Sequence, residues 1–371
     1  MPVVRTVVHV DPERGFSGGE SQVFLLMEGL RARHGLRSIL YGQPGSRPVE
    51  EAIKRGFVAR AFPMRNDADV MAIVRGTNHL RADKPDLVHL HTGRANWLGG
   101  WAARRAGIPA LSTRRMDRTL KVGWATRTTY SKLVRRVVAI SPAVQRVLHE
   151  AGVPPAMTSV IWSSVDVNAL RPVRSRDKIR AELGIPDGEL LLLGVAQLTH
   201  RKGYDLLLDA LAALPSHELP PWRLLLAGEG PALAELSQQA TRLALDERVR
   251  FLGARDDVPD LHAAADVFLM PSRSEGLGIA SLEAMAAGTP VLAAQVGGLA
   301  EAVVHEETGL LVPPEDVPAL SAALQRLLRD DDLRARLAAA GPRRIAETFS
   351  AETMVDSYVA LYDDILKESR A

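Results

Sequence analysis

Short apolar runs of four to eight residues alternate with amphipathic stretches along almost the whole chain. In the first half the runs are VVRTVVHV (3–10), RSILYG (37–42), DLVHLH (86–91), PALST (109–113) and RVVAIS (136–141). They are β-branched or leucine-rich and nearly continuous, as strands buried on both faces of a parallel sheet are. Helical patterns separate them, at Glu20–Arg33, Asn96–Ala106 and Ala143–Glu150. A second series follows: ELLLLGVA (189–196), WRLLLAG (222–228), RVRFLG (248–253), DVFLMP (266–271), TPVLAA (289–294) and GLLVP (309–313), with helical patterns at Tyr204–Leu214, Ala232–Leu243, Ala280–Ala287 and Pro318–Arg329. This alternation predicts βαβ units and two doubly wound sheets.

The proline-interrupted stretch VNALRPVRSRDKIRAELGIPDG is the linker between the series. The expected domains are therefore 1–168 and 169–351, two Rossmann-like α/β halves facing a cleft. Periodicity alone does not assign the last helical stretch, Ala351–Glu368. A chain of 371 residues suits two such domains of about 150–200 residues. No apolar run is long enough to span a bilayer, and the opening MPVVRTVVHVDPERG reads as a first strand and not a signal peptide. The absence of cysteine excludes disulfides, thiol nucleophiles and thiolate zinc sites. The expected location is the cytosol.

Net charge is only +2, but it is unevenly spread. From Trp101 to Arg136 run Arg104, Arg105, Arg114, Arg115, Arg118, Lys121, Arg127, Lys132, Arg135 and Arg136, with Asp117 the lone acid and Trp97, Trp101, Trp124 and Tyr130 among them. Two readings stand: a solvated basic face, or a surface for anionic lipid headgroups or a phosphorylated acceptor. No helix-turn-helix, RNP-type or zinc signature accompanies the charge, so nucleic acid is not an expected partner.

Ligands of open α/β sheets bind beyond the carboxyl ends of the strands. After the first strand comes GFSGGE, where Gly18 and Gly19 let backbone amides approach a phosphate or sugar. DLVHLHTG ends a buried strand with His89 and His91 on one face, and His91, at the extreme carboxyl end, is the functional candidate. No third ligand is evident in the sequence, so a metal is not expected there. AQLTHRKG places Lys202, with Arg201 beside it, just before a helix, a clamp for a diphosphate. PSRSEGLGIASLE sets Glu275, Gly276, Leu277 and Gly278 at a helix N-terminus suited to phosphate, with Glu283 in the second turn. A carboxylate there accepts both hydroxyls of a ribose.

The segment PSRSEGLGIASLEAMAAGTPVLAAQVGGLAEAV resembles the donor-site signature of retaining family 4 glycosyltransferases, which have the GT-B fold. FLGARDDVPDLHAAADVFLMPS, TGLLVPPEDVPAL, the SGGE loop and DLVHLHTG resemble segments of that family in the same order, so the likeness covers nearly the whole chain. It implies an enzyme moving a sugar from a nucleotide diphosphate sugar to an acceptor hydroxyl. Glu283 would hold the ribose, Glu275 and the Gly276–Gly278 amides the sugar and phosphates, Lys202 the diphosphate, and His91 the sugar from the other domain.

It further implies no metal and no cofactor, a final helix (352–371) crossing back to the first domain, and a saccharide, glycolipid or lipid-linked acceptor, with location at the inner face of the plasma membrane. Two positions depart from the family: Gln197 stands where it usually has arginine, and Ser163–Ser164–Val165–Asp166 where it has Asn-Gly-Val-Asp. A GT-B protein that only binds nucleotide sugar or polymer, and a GT-B sugar epimerase, are the alternatives.

Overall fold

The computed structural model describes residues 3–215 and 218–370 and divides the chain into two compact units, Met1–Ser164 with Ala351–Ala371, and Val165–Ser350. In the first unit the chain runs β1 (Thr6–Asp11), α1 (Gly18–His34), β2 (Arg37–Gly42), α2 (Arg47–Lys54), β3 (Val58–Ala61), α3 (Val70–Asp83) and β4 (Leu87–Leu90). A π-helical turn (Ala95–Gly99) leads into α4 (Gly100–Ala106), followed by β5 (Ala110–Arg114), α5 (Trp124–Ser131), β6 (Arg136–Ala139), α6 (Pro142–Glu150) and β7 (Thr158–Val160). The sheet order is β3-β2-β1-β4-β5-β6-β7 and every pair is parallel.

The second unit runs α7 (Arg176–Glu182), β8 (Leu190–Val195), α8 (Tyr204–Ala212), β9 (Trp222–Ala227), α9 (Leu233–Arg242), β10 (Val249–Gly253) and α10 (Val258–Ala264). It continues with β11 (Val267–Met270), α11 (Ile279–Ala286), β12 (Val291–Ala294), α12 (Leu299–Ala302), β13 (Gly309–Val312), α13 (Val317–Arg329) and α14 (Asp331–Thr348). Its order is β10-β9-β8-β11-β12-β13, again all parallel. Central strands such as β8 and β11 are leucine-, valine- and phenylalanine-rich because helices cover both faces.

The final helix, α15 (Ala351–Arg370), belongs to the first unit. Its apolar stripe, Val355, Tyr358, Tyr362 and Ile365, is buried with Leu26 and Leu30 of α1. Gly29 makes the close approach possible: a Cβ there would lie 2.3 Å from Cγ2 of Val355. The two strands that the sequence pattern does not reveal, β3 and β7, are both edge strands. VARA and TSV are short and half-exposed, so neither carries a continuous apolar run.

Each sheet reverses its winding once, between β1 and β4 in the first unit and between β8 and β11 in the second. The chain leaves those four strands on diverging paths, which opens a crevice at the carboxyl edge. All the sequence-derived candidates lie on or just beyond these strands.

Candidate functional site

In the second unit, a 3-10 turn at His200–Lys202 follows β8 and sits directly on the loop that follows β11. Gly203 permits this, since its φ of 69° is left-handed and a Cβ would stand 2.0 Å from the Pro271 carbonyl oxygen. Arg273 then ties the two loops together. Its guanidinium donates to the His200 carbonyl (2.7 Å) and to both Asp205 oxygens (2.7 and 2.6 Å), and its amide donates to the Arg201 carbonyl (2.8 Å). Sequence reasoning missed Arg273 and Asp205, whose pairing depends on a loop contact across 68 residues.

That scaffold brings Lys202 and Glu275 together. Lys202 Nζ donates to Glu275 Oε2 at 2.6 Å, and both side chains are nearly buried. Arg201, largely in solvent, reaches the same oxygen at 3.3 Å and the Ser274 carbonyl at 2.8 Å. Gly298 donates its amide to the Glu275 carbonyl (3.1 Å), fixing the loop backbone. Gly278, at φ 82°, then turns the chain into α11, whose N-terminus has no side-chain cap. The first-turn amides of Ile279 and Ala280 point out of the helix with its positive dipole end, an arrangement that attracts phosphate. Leu277 is buried and holds the turn to the core. Gln197 is exposed at the end of β8.

Glu283, one turn further along α11, is 27% exposed. Beneath it lies His262 of α10, buried, its Nε2 3.9 Å from Glu283 Oε2. Neither ring nitrogen of His262 has a hydrogen-bond partner among the described residues. Lys202, Arg201, Glu275, the Gly276–Gly278 turn and the α11 N-terminus thus form one group, with Glu283 on the same helix.

The first unit holds Gly18, Gly19 and His91. Ser17 caps α1 in a reciprocal box with Glu20: its amide and hydroxyl both donate to Glu20 Oε2 at 2.6 Å, and the Gly19 amide donates to the Ser17 hydroxyl at 3.3 Å. The Gly19 amide is therefore already engaged. A Cβ on Gly18 would meet nothing within 4 Å, and one on Gly19 only ordinary contacts. Neither glycine is needed by the fold itself.

His91 is buried at the end of β4 and is not alone. The β1–β4 register sets His9 directly beside His89, and the three histidines have ligand atoms within 4.8 Å of one another. The third imidazole, which the sequence did not reveal, comes from β1. The hydrogen bonds define what the cluster does. His89 is used on both sides, by Tyr362 and Thr113, each at 2.7 Å. Arg115 can only donate, so Nδ1 of His91 accepts from it (3.3 Å), and His91 Nε2 carries the proton and donates to His9 Nδ1 (3.1 Å). This is a proton-ordered network in which His9 Nε2 is left without a partner among the described residues.

Burial, then the neighbouring imidazoles and Arg115, push His91 and His89 well below the ordinary imidazole range, and burial followed by Arg115 pushes His9 down to about 3. All three are neutral. Beside them, at the end of β1, Asp11 is 2% exposed; burial and then Glu20 raise it to about 7. A further cavity of about 560 Å³ opens at this edge, lined by Glu13, Arg14, Gln43, Asp67, Thr92 and Arg94 among others.

The basic segment is split by the fold. Arg104 donates to the Lys132 carbonyl (3.2 Å) and Arg136 pairs with Glu368, so these cations, with Arg105 and Arg135, lie toward the amino edge of the sheet. Arg118, Lys121 and Arg127 lie on or next to the loop beyond β5, at the carboxyl edge. The ten cations do not form one face. Among the described residues no helix is long and apolar enough to cross a membrane.

Residues 16–169 match the family model for Glycosyltransferase Family 4, and residues 175–344 that for Glycosyl transferases group 1. The chain is 31% identical, over 76% of its length and 84% of the relative's, to the lipopolysaccharide core biosynthesis mannosyltransferase LpsB of Rhizobium meliloti. It is also 31% identical, over 97% of its length and 89% of the relative's, to the D-inositol 3-phosphate glycosyltransferase of Rhodococcus erythropolis. Its fold matches that of Anabaena HepE solved with UDP and glucose (TM-score 0.86, 24% identity, 97% of this chain and 100% of that one). It also matches a glycosyltransferase of Rickettsia africae (TM-score 0.88, 20% identity, 98% and 99%).

Proposed function

Since the chain belongs to the group 1 and family 4 glycosyltransferases and has their GT-B fold, we propose that it moves a hexosyl unit, with retention at the anomeric carbon, from a nucleotide diphosphate sugar to a hydroxyl of a membrane-borne glycolipid or lipid-linked saccharide of the cell envelope. The observation that carries this reading is the 2.6 Å Lys202–Glu275 pair beside the uncapped N-terminus of α11. An ammonium group and a helix dipole converge where a diphosphate would depart, with no aspartate or cysteine nucleophile among the grouped residues.

When a donor enters, its phosphates take the α11 amides and the ammonium of Lys202. That frees Glu275 from its ion pair to accept hydroxyls of the transferred sugar. Glu283 binds the ribose diol, and Gln197 donates a neutral hydrogen bond to the phosphates while Arg201 adds charge from the rim. As the glycosidic bond stretches, positive charge grows on the sugar ring and negative charge on the leaving oxygen. Preorganised dipoles and a cation favour that separation more than they favour the intact donor. The departing phosphate takes the acceptor's proton on the same face. This chemistry asks for no metal and no cofactor.

In the first unit we assign His91 to the sugar. Neutral, with its ring nitrogens engaged by Arg115 and His9, it exchanges the long Arg115 bond at Nδ1 for a sugar hydroxyl without competing for the leaving group's proton. Gly18 approaches the phosphates through its open amide. The lipopolysaccharide relative supports an envelope acceptor, and on that reading we assign the protein to the inner face of the plasma membrane.

The test is a panel of nucleotide sugars assayed with and without envelope glycolipid extract, following nucleoside diphosphate release and glycolipid mass. Acceptor-dependent release with a mass gain of one hexose is expected. Binding without release would favour a carbohydrate-binding role, and interconversion of the donor alone would favour an epimerase.

A further inference from the structure

The loop from Arg115 to Gly123, between β5 and α5, leaves the carboxyl edge of the first sheet carrying RMDRTLKVG, and Trp124 opens the helix that follows. Met116, Val122 and Trp124 are 58%, 67% and 70% exposed. Soluble surfaces do not ordinarily group a methionine, a valine and a tryptophan in nine residues with all three in water. The tryptophan is held in place: its ring stands edge-on to Trp97 at 5.9 Å, and Trp97 to Trp101 at 6.1 Å. Thr126 donates to the Lys121 carbonyl at 2.6 Å, which folds the loop back on α5. Val70 and Met71, in the first turn of α3 at the same edge, are also exposed.

Arg118, Lys121 and Arg127 are exposed among these side chains. The acids nearby are already committed. Asp67 pairs with Arg94, and Asp69 caps α3 and pairs with Arg75, leaving Asp117 and Glu13 against the cations. Aromatic and apolar side chains interleaved with lysine and arginine suit a membrane interface, where long cationic side chains reach back to the headgroups.

We propose that this loop is a membrane-inserting element: Met116, Val122 and Trp124 enter the headgroup and upper acyl region of an anionic bilayer, while Arg118, Lys121 and Arg127 contact lipid phosphates. The proposal rests on the reading of a membrane-borne acceptor. It differs from adhesion by the whole basic segment, because the cations at the amino edge take no part.

Full-length protein is sedimented with vesicles of phosphatidylcholine and phosphatidylglycerol at low and high salt. Tryptophan emission is recorded with vesicles carrying brominated acyl chains, and nucleotide-sugar binding is measured on the same preparations. Wild-type protein is expected to bind, with emission shifted to the blue and quenched by bromine, and Trp124→Phe is expected to bind but lose most of the quenching. Replacing Met116, Val122 and Trp124 together by serine is expected to weaken vesicle binding by about tenfold or more, with nucleotide-sugar affinity unchanged. Arg105→Gln with Arg135→Gln is expected to leave vesicle binding unchanged.

Salt-sensitive binding without quenching would overturn insertion while leaving a membrane-borne acceptor in place. Absence of binding to any vesicle, with nucleotide-sugar binding intact, would overturn both. Equal binding by the triple-serine variant would show that the loop is not the element.

Discussion

Lys202→Ala removes a nearly buried cation at the proposed donor end of the second unit, and the size of its effect follows from the geometry. The ammonium lies 2.6 Å from Glu275 and its side chain is 12% exposed, so charges there are only partly screened. A phosphate oxygen replacing the carboxylate at about 3 Å feels roughly 5 kcal/mol from the ammonium at an effective dielectric of about 20. If bond cleavage moves about half a charge onto the leaving oxygen, roughly 2–3 kcal/mol of that is gained only in the transition state, or about 30- to 150-fold in kcat. Arg201, at 3.3 Å from Glu275 but 47% exposed, offsets little. The assay is steady-state nucleoside diphosphate release with saturating acceptor, alongside a melting curve to establish that the variant is folded. KM for the donor should rise less than kcat falls, because the α11 amides still hold the ground state. A folded Lys202→Ala enzyme with kcat within about threefold of wild type would remove the cation from the mechanism, since half a charge at that distance cannot be so nearly neutral.

Two further outcomes follow from buried groups. Asp11 has a folded pKa raised to about 7 against an unfolded value near 3.8, so the native state holds a proton that the unfolded chain has released. Stability from this group is complete below about pH 4 and is lost as pH rises through about 7, a penalty of about 4 kcal/mol in full. Asp11→Asn, which keeps the acceptor for the Glu13 amide, should therefore melt higher than wild type at pH 8 and no higher at pH 4; parallel stability curves would refute this. Gly29→Ala drives a methyl against Val355 and should destabilise the first unit by about 1–3 kcal/mol despite the better helix propensity of alanine, read as a lower urea midpoint. An unchanged midpoint would mean that α15 moves aside freely.

The second sheet was legible strand by strand, because five of its six runs are almost wholly buried and the sixth, the half-exposed edge strand β10, still reads as an apolar-containing run between turns. In the first sheet β3 and β7 escaped, since an edge strand such as VARA buries too little to need an apolar run. The candidate site residues of the second unit were visible because they cluster in two short loops after strands. What holds them there was not: Arg273 meets Asp205 only once Gly203 lets the two loops touch. The same limit applies to His9. Nothing in VVRTVVHV distinguishes it from a core residue until the β1–β4 register sets it beside His89. The basic segment shows the converse error, since nearness in sequence suggested a single face and the intervening strand divided it.

The grip on the donor through Glu283 and the α11 N-terminus is tested most directly by calorimetric titration of nucleotide sugars into wild-type and Glu283→Ala protein, after a panel has identified the tightest. Wild type should bind one donor, and the variant, equally folded, should bind it at least about tenfold more weakly, as expected for losing a carboxylate that accepts two hydroxyls. Equal affinity in the two proteins would contradict the account.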